Sequence, residues 1–187
     1  MTIEPRDLGD GLVLRPLGDD DADELFALIE SSRVHLAPWM PWLEDHTTRT
    51  VTQRFIRDAR KRLAAGSDAE LAIVEHGRIV GVVSLVAIGA AAGTCRCGYW
   101  LSPQAEGYGI VTRAMRSLLA HAFGELGLHT VVLRAAPDNG RSRAVAERLG
   151  FRCVGPIDGS ELYGERWGDL IEYALDADAW RAARRAG

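Results

Sequence analysis

The segment Gly98-Tyr99-Trp100-Leu101-Ser102-Pro103-Gln104-Ala105-Glu106-Gly107-Tyr108-Gly109-Ile110-Val111-Thr112 constrains this chain most, because an apolar strand ends in a glycine loop that opens directly into an amphipathic helix. Gly107 and Gly109 can take backbone angles closed to other residues. Successive amide N–H groups can then converge on a phosphate at the positive end of the helix. A Gly-x-Gly pair is also an ordinary tight turn. A second block narrows the choice: Asn139-Gly140-Arg141-Ser142 leads into Ala146-Glu147-Arg148-Leu149-Gly150-Phe151.

Around these blocks the apolar spacing predicts alternating helices and strands. Leu12 to Leu17 reads as a first strand stopped by proline. Asp19 to Asp21 offer caps for a helix whose Ala22, Leu25, Phe26 and Ile29 recur at helical spacing. A second helix spans Thr50 to Ala65, with Val51, Phe55, Ile56, Ala59 and Leu63 on one stripe and Gly66 ending it. Glu70 to Val74 and Ile79 to Val86 flank a hairpin signal at Glu75-His76-Gly77-Arg78, and Thr94 to Leu101 completes an antiparallel meander. A helix from Ile110 to about Phe123, a strand Thr130 to Ala136 and a helix capped by Asn139 and terminated by Gly150 follow. Phe151 to Val154 and Asp169 to Leu175 are the last strands, joined by a long polar connection from Gly155 to Gly168, and Asp176 caps a tail helix carrying Trp180.

At 187 residues and 47% hydrophobic, the chain can bury a full core as a single domain, 1–187. A net charge of −4 gives no support for nucleic acid as a partner. No apolar run approaches a membrane span, and Met1-Thr2-Ile3-Glu4-Pro5 lacks a signal-peptide plan, so a cytoplasmic location is the expectation. Cys95, Cys97 and Cys153 are odd in number and suit reduced thiols; no Cys/His pair lies near Cys95-x-Cys97 at ligand spacing, so no metal is expected.

The two glycine blocks, together with Leu14-Arg15-Pro16-Leu17 and His35-Leu36-Ala37-Pro38-Trp39-Met40-Pro41-Trp42-Leu43, resemble in order the GNAT N-acetyltransferases, and within them the RimJ/RimL-type ribosomal-protein N-terminal acetyltransferases. The resemblance spans nearly the whole chain. It implies a mixed α/β fold with a central splayed sheet flanked by helices, and acetyl-coenzyme A as co-substrate. It places the coenzyme pyrophosphate on Glu106, Gly107, Tyr108, Gly109, Ile110, Val111 and Thr112. Most relatives carry Gln or Arg where this chain has Glu106, a carboxylate that should repel a pyrophosphate. The main chain around Trp100, Leu101 and Ser102, at the end of a splayed strand, is placed to bind the thioester oxygen and the pantetheine amides.

Acyl transfer needs a neutral amine, a stabilised oxyanion and a donor to the departing thiolate. Most GNAT enzymes supply that donor as a Tyr at the position held here by Ala146. The resemblance instead implies Ser142 as the group at the coenzyme sulfur and Glu161 as the base for the amine. The plainer alternatives are a first-turn serine bonding its own backbone and a solvated loop carboxylate. Asn139 reads as helix cap, coenzyme contact or both, and Arg141, Arg143 and Arg148 are left unassigned. Trp39 and Trp42 either wall an acceptor pocket or anchor the core, and Tyr163 and Trp167 either close its other side or pack the sheet. The expected activity is acetyl transfer to a primary amine, such as a protein N-terminal α-amine, by direct attack in a ternary complex. A small-molecule amine acyltransferase, one using another donor such as succinyl-coenzyme A, and a non-catalytic coenzyme-binding module are the alternatives, and a homodimer is left open.

Overall fold

The protein is described by a computed structural model covering residues 1–89, 91–158 and 168–186. In chain order the elements are β1 (Arg6–Asp7), β2 (Leu12–Pro16), α1 (Ala22–Leu36), α2 (Arg49–Ala65), β3 (Ala69–Glu75), β4 (Arg78–Gly89), β5 (Thr94–Leu101), α3 (Ile110–Gly124), β6 (Thr130–Ala135), α4 (Gly140–Arg148), β7 (Arg152–Asp158), β8 (Asp169–Asp176) and α5 (Ala177–Ala186). Among the described residues the strands form one sheet in the order β1-β2-β3-β4-β5-β6-β8-β7.

Local chemistry explains most boundaries. The Thr48 side chain accepts the Val51 amide to start α2, and Gly66 ends it in the left-handed region at φ 77°. The Asn139 side chain accepts the Ser142 amide at 3.0 Å to start α4, satisfying one of the amides that a helix leaves unpaired at its first turn.

The alternation of side chains along the strands feeds two cores, one on each face of the sheet. Leu71 and Ile73 of β3 and Cys95, Cys97 and Leu101 of β5 pack with Met115, Leu118 and Leu119 of α3. Ala72 and Val74 of β3, Val82 of β4 and Trp100 of β5 pack with Leu25 and Ile29 of α1 and Ile56 of α2.

The strands from β1 to β5 pair antiparallel as the meander expectation requires, and β6 pairs antiparallel with β8. The join between these two halves is parallel and short: β5 and β6 pair only from Thr94↔Thr130 to Cys97↔Leu133. Beyond it β5 stays with β4, Gly98 opposite Ser84 through Leu101 opposite Gly81. β6 meanwhile stays with β8, Arg134 opposite Glu172 and Ala135 opposite Ile171. The two strands therefore diverge, and among the described residues the facing edges of their last residues have no strand partner.

Two differences from the sequence reading have simple causes. The two-residue β1 is too short to carry any periodicity. β7 runs on to Asp158, into the stretch expected to be loop, because Gly155 takes a register shift and β7 is an edge strand, where Pro156 removes no ladder bond toward a further strand.

At Gly81 an added Cβ would lie 2.3 Å from the Trp100 carbonyl oxygen and 2.9 Å from the Leu101 side chain. The backbone oxygen cannot swing aside, so Gly81→Ala must displace the end of β5 from β4. We expect urea denaturation to report a loss of about 1–3 kcal/mol, the usual scale of an overpacked site. A fully stable variant would mean that β4 and β5 are not held this closely.

Candidate active site

The divergence of β5 from β6 opens a cleft of about 1880 Å³ that gathers the end of β5, the glycine loop, the end of β6, the start of α4 and the Pro/Trp segment. Both helices that follow the diverging strands begin at its rim. Gly107 and Gly109 have φ values of 88° and 75°, the left-handed region that the sequence reading required of them, and Gly109 is the N-cap of α3. The first helical bond of α3 is donated by the Arg113 amide to the Gly109 carbonyl at 3.0 Å. The amides of Ile110, Val111 and Thr112 thus have no partner within the helix, and the helix dipole adds partial positive charge there.

Side chains reinforce that sign. Among the described residues Arg96, Arg113, Arg116, Arg134, Arg141 and Arg148 line the cleft against the carboxylates Glu70, Glu106 and Asp138, six cations to three anions, in a chain whose net charge is −4. The local field, not the net charge, governs which ligand is drawn in.

Glu106 is not the bare carboxylate that the sequence suggested. One of its oxygens pairs with Arg141 of α4, and the other lies 2.8 Å from Nε2 of His35 near the end of α1. Its charge is thus neutralised by a cation on the far rim of the cleft. The Arg143 guanidinium is committed elsewhere, to the Tyr173 hydroxyl at 3.0 Å and the Pro137 carbonyl at 2.9 Å. Arg148 reaches Thr112 Oγ1 at 3.4 Å, tying α4 to α3.

Of the residues assigned from sequence, Trp100, Leu101, Glu106, Gly107, Gly109, Ile110, Val111, Thr112, Asn139 and Ser142 all line this cleft. Ser102 is buried beside it, its amide donating to the Val80 carbonyl at 2.8 Å and holding the end of β5 on β4. Tyr108, between the two left-handed glycines, is 76% exposed and does not line the cleft. Glu161, Tyr163 and Trp167 lie outside the described residues.

Trp39 and Trp42 both line the cleft. Trp42 also packs on Trp100, ring centroids 6.3 Å apart, and edge-on to His46 at 5.3 Å, so it is pocket wall and core anchor at once. His46 is buried with Nε2 2.7 Å from Thr52 Oγ1; burial, helped by the nearby Arg33, lowers its pKa and keeps the ring neutral.

Glu70, Cys97 and Tyr99 are among the lining residues that were not assigned from sequence. Glu70 of β3 accepts from Arg62 at 2.8 and 3.1 Å, and its burial raises its pKa despite that partner. Cys97 lies against the cleft, but burial holds its thiol well above the ordinary value, so it is a poor nucleophile. The Tyr99 hydroxyl donates to Ser142 Oγ at 3.0 Å. The available signal for Tyr99 was its alternation with Cys97 and Leu101 toward an apolar face, where a phenol hydroxyl needs a partner.

The fold that opens this cleft is similar to that of known proteins. Residues 11–152 match the model of the acetyltransferase (GNAT) domain. The chain belongs to the GNAT acetyltransferase family. It is an acyltransferase, and its GNAT relatives include proteins named for ribosomal-protein acetylation. It is 33% identical to the putative ribosomal N-acetyltransferase YdaF of Bacillus subtilis (strain 168), over 92% of this chain and 95% of that one. It is 25% identical to the ribosomal-protein-serine acetyltransferase of Escherichia coli (strain K12), over 92% of this chain and 96% of that one. Among solved structures, the microcin C7 self-immunity acetyltransferase MccE, in complex with acetyl-CoA and AMP, superposes with a TM-score of 0.83 at 28% identity, covering 90% of this chain and 94% of that chain. Among the described residues of this GNAT chain no group of three His, Cys, Asp or Glu is arranged to hold a metal ion, and no helix is long and apolar enough to cross a membrane.

The pairing of Glu106 with Arg141 yields a test of the cradle. Glu106→Gln releases the guanidinium toward an incoming phosphate, so calorimetric titration should show acetyl-coenzyme A bound unchanged or up to about fivefold tighter, the scale of a partly exposed ion pair. The gain should shrink as salt is added. A large loss of affinity would mean that Glu106 holds Arg141 in its binding position rather than competing for it.

Proposed function

We propose that the chain transfers an acetyl group from acetyl-coenzyme A to a primary amine, with a protein N-terminal α-amine as the acceptor class, by direct attack in a ternary complex. The observation that carries this reading is the cleft itself: unpaired main chain at the end of β5 meets a basic rim and the amide-rich start of α3. Such a rim suits a pyrophosphate. Relatives named as ribosomal N-acetyltransferases support the acceptor class, and a structural neighbour solved with acetyl-CoA supports the donor.

In this reading the phosphates sit on the amides from Gly107 to Thr112, and the thioester arm enters between β5 and β6. The Leu101 amide, which points away from β4 while the Ser102 amide is held by Val80, faces the thioester oxygen and the pantetheine amides, with Trp100 beside it; Asn139 holds the start of α4, and Ser142 donates to the departing sulfur. Trp39 and Trp42 border the acceptor side, with Tyr163 and Trp167 assigned to its other wall. Glu161 takes the amine's proton. With Cys97 held as a thiol by burial, no acyl-enzyme step through it is required.

Ser142→Ala should lower kcat by roughly tenfold to a thousandfold, the range of one positioned donor, while calorimetry shows coenzyme affinity little changed. An undiminished kcat would reduce Ser142 to its role at the helix start. Turnover of coenzyme A thiol against peptides with a free N-terminus and against antibiotics, amino acids and polyamines separates the protein acceptor from the small-molecule one, and no turnover with any amine would leave a binding module.

The pH profile tests Glu161. An α-amine titrates near 7.7–8.0, so at about pH 8.5 it is mostly free base and needs little help, whereas near pH 6.5 it must first lose a proton. Glu161→Gln should cost a modest factor at the higher pH and a larger one at the lower. Equal impairment across the range would show that the carboxylate positions the substrate by charge.

A further inference from the structure

Ser142 and Tyr99 stand on opposite walls of the divergence, one in the first turn of α4 and the other on β5, yet their hydroxyls are 3.0 Å apart with the phenol donating. A serine hydroxyl has one proton and two acceptor sites. In a helix it ordinarily spends that proton on a backbone carbonyl of the preceding turn. Among the described residues Ser142 does otherwise: its amide goes to Asn139 Oδ1 at 3.0 Å, and its side chain bonds Tyr99. Both residues line the cleft.

From this geometry, and resting on the reading of Ser142 given above, we infer that Tyr99 is a positioning residue: by donating to Ser142 Oγ it turns the serine's own proton outward, toward the coenzyme sulfur. The phenol can hold this role throughout the working range, because burial, only partly offset by the bond to Ser142, pushes its pKa up to about 12. It is therefore a donor at neutral and mildly alkaline pH.

During transfer the amine lone pair forms the C–N bond, the C–S bond breaks with its electron pair passing to sulfur, and the amine's proton leaves to base and solvent. The new thiolate is met by Ser142 O–H, itself polarised by Tyr99 O–H. An alcohol and a phenol near 12 are weaker acids than a thiol near 8.5, so the pair stabilises sulfur by hydrogen bonding, and the proton finally carried by the thiol comes from solvent.

Free coenzyme A bound to the protein tests this without any acceptor. Its thiolate fraction is followed by ultraviolet absorbance from neutral to alkaline pH in the wild type, Tyr99→Phe, Ser142→Ala and the double variant. Tyr99→Phe should reduce the thiolate-to-thiol ratio at a given pH by roughly three- to tenfold, the scale of one hydrogen bond, with melting temperature and affinity for the thiol form unchanged. Ser142→Ala should reduce it at least as much, and the double variant should match Ser142→Ala alone. With acetyl-coenzyme A and an N-terminal-serine peptide, Tyr99→Phe should lower kcat and leave KM for acetyl-coenzyme A in place. A shift in Ser142→Ala with none in Tyr99→Phe overturns the role of Tyr99 and leaves that of Ser142 standing. Additive losses also overturn it, since Tyr99 would then act independently. No shift in either Ser142→Ala or Tyr99→Phe removes the assignment of Ser142 itself.

Discussion

The site depends on a parallel ladder that is only four register pairs long, from Thr94↔Thr130 to Cys97↔Leu133. Each strand is claimed on its far side by an antiparallel neighbour, β5 by β4 and β6 by β8, and each follows that neighbour when the two part. The wedge between them is the place where the sheet's two halves cannot both keep their twist and their shared edge. Unpaired peptide groups there would cost about 1–3 kcal/mol each if left dry, so the wedge must admit water or a ligand with its own amides and carbonyls. Because α3 and α4 are the elements that follow β5 and β6, both helices open at its mouth, and the positive ends of two dipoles meet the same volume.

That volume is also where cations and anions are sorted. Arg134 is held by Glu172 at 2.8 Å and Arg113 by the Leu8 and Gly9 carbonyls at 2.6 and 2.8 Å. Fixed in this way, guanidinium groups lose less freedom when a phosphate arrives than mobile surface lysines would. The contact of Glu106 with His35 extends the same arrangement to the end of α1, so the loop that carries the glycine cradle touches both rims of the cleft.

The elements most legible in the sequence are those whose reasons are local. The stripe from Ile110 to Ala122 and the glycine at 66 mark their helices because spacing and backbone angle are properties of a few neighbouring residues. The same holds for Gly107 and Gly109, whose left-handed angles are required by the turn they make. Contacts between distant segments left no such trace. Nothing in the spacing of residues 99 and 142, or of 106, 35 and 141, says that they meet; only the packing of β5 against α4 and of the loop against α1 brings them together. Trp42 could be read either as pocket or as core from its type alone, and the structure gives it both contacts, one ring face being enough for Trp100 while the rest borders the cleft.

The two walls of the cleft rest on different foundations. The wall made by the loop and the start of α3 is continuous with the core on one face of the sheet; the wall carrying Trp42 belongs to the core on the other face, with α1 and α2. A tightly packed interior transmits strain to its neighbours, and the two cores lie on opposite faces of the sheet, meeting the cleft together only at the end of β5, where Trp42 packs on Trp100. Substitutions beneath α1 and α2 that spare Trp100 can therefore reshape the Trp42 wall with less disturbance of the loop wall. Under the proposed function, a lineage built on this plan is free to explore new amines while it keeps its hold on the acyl donor.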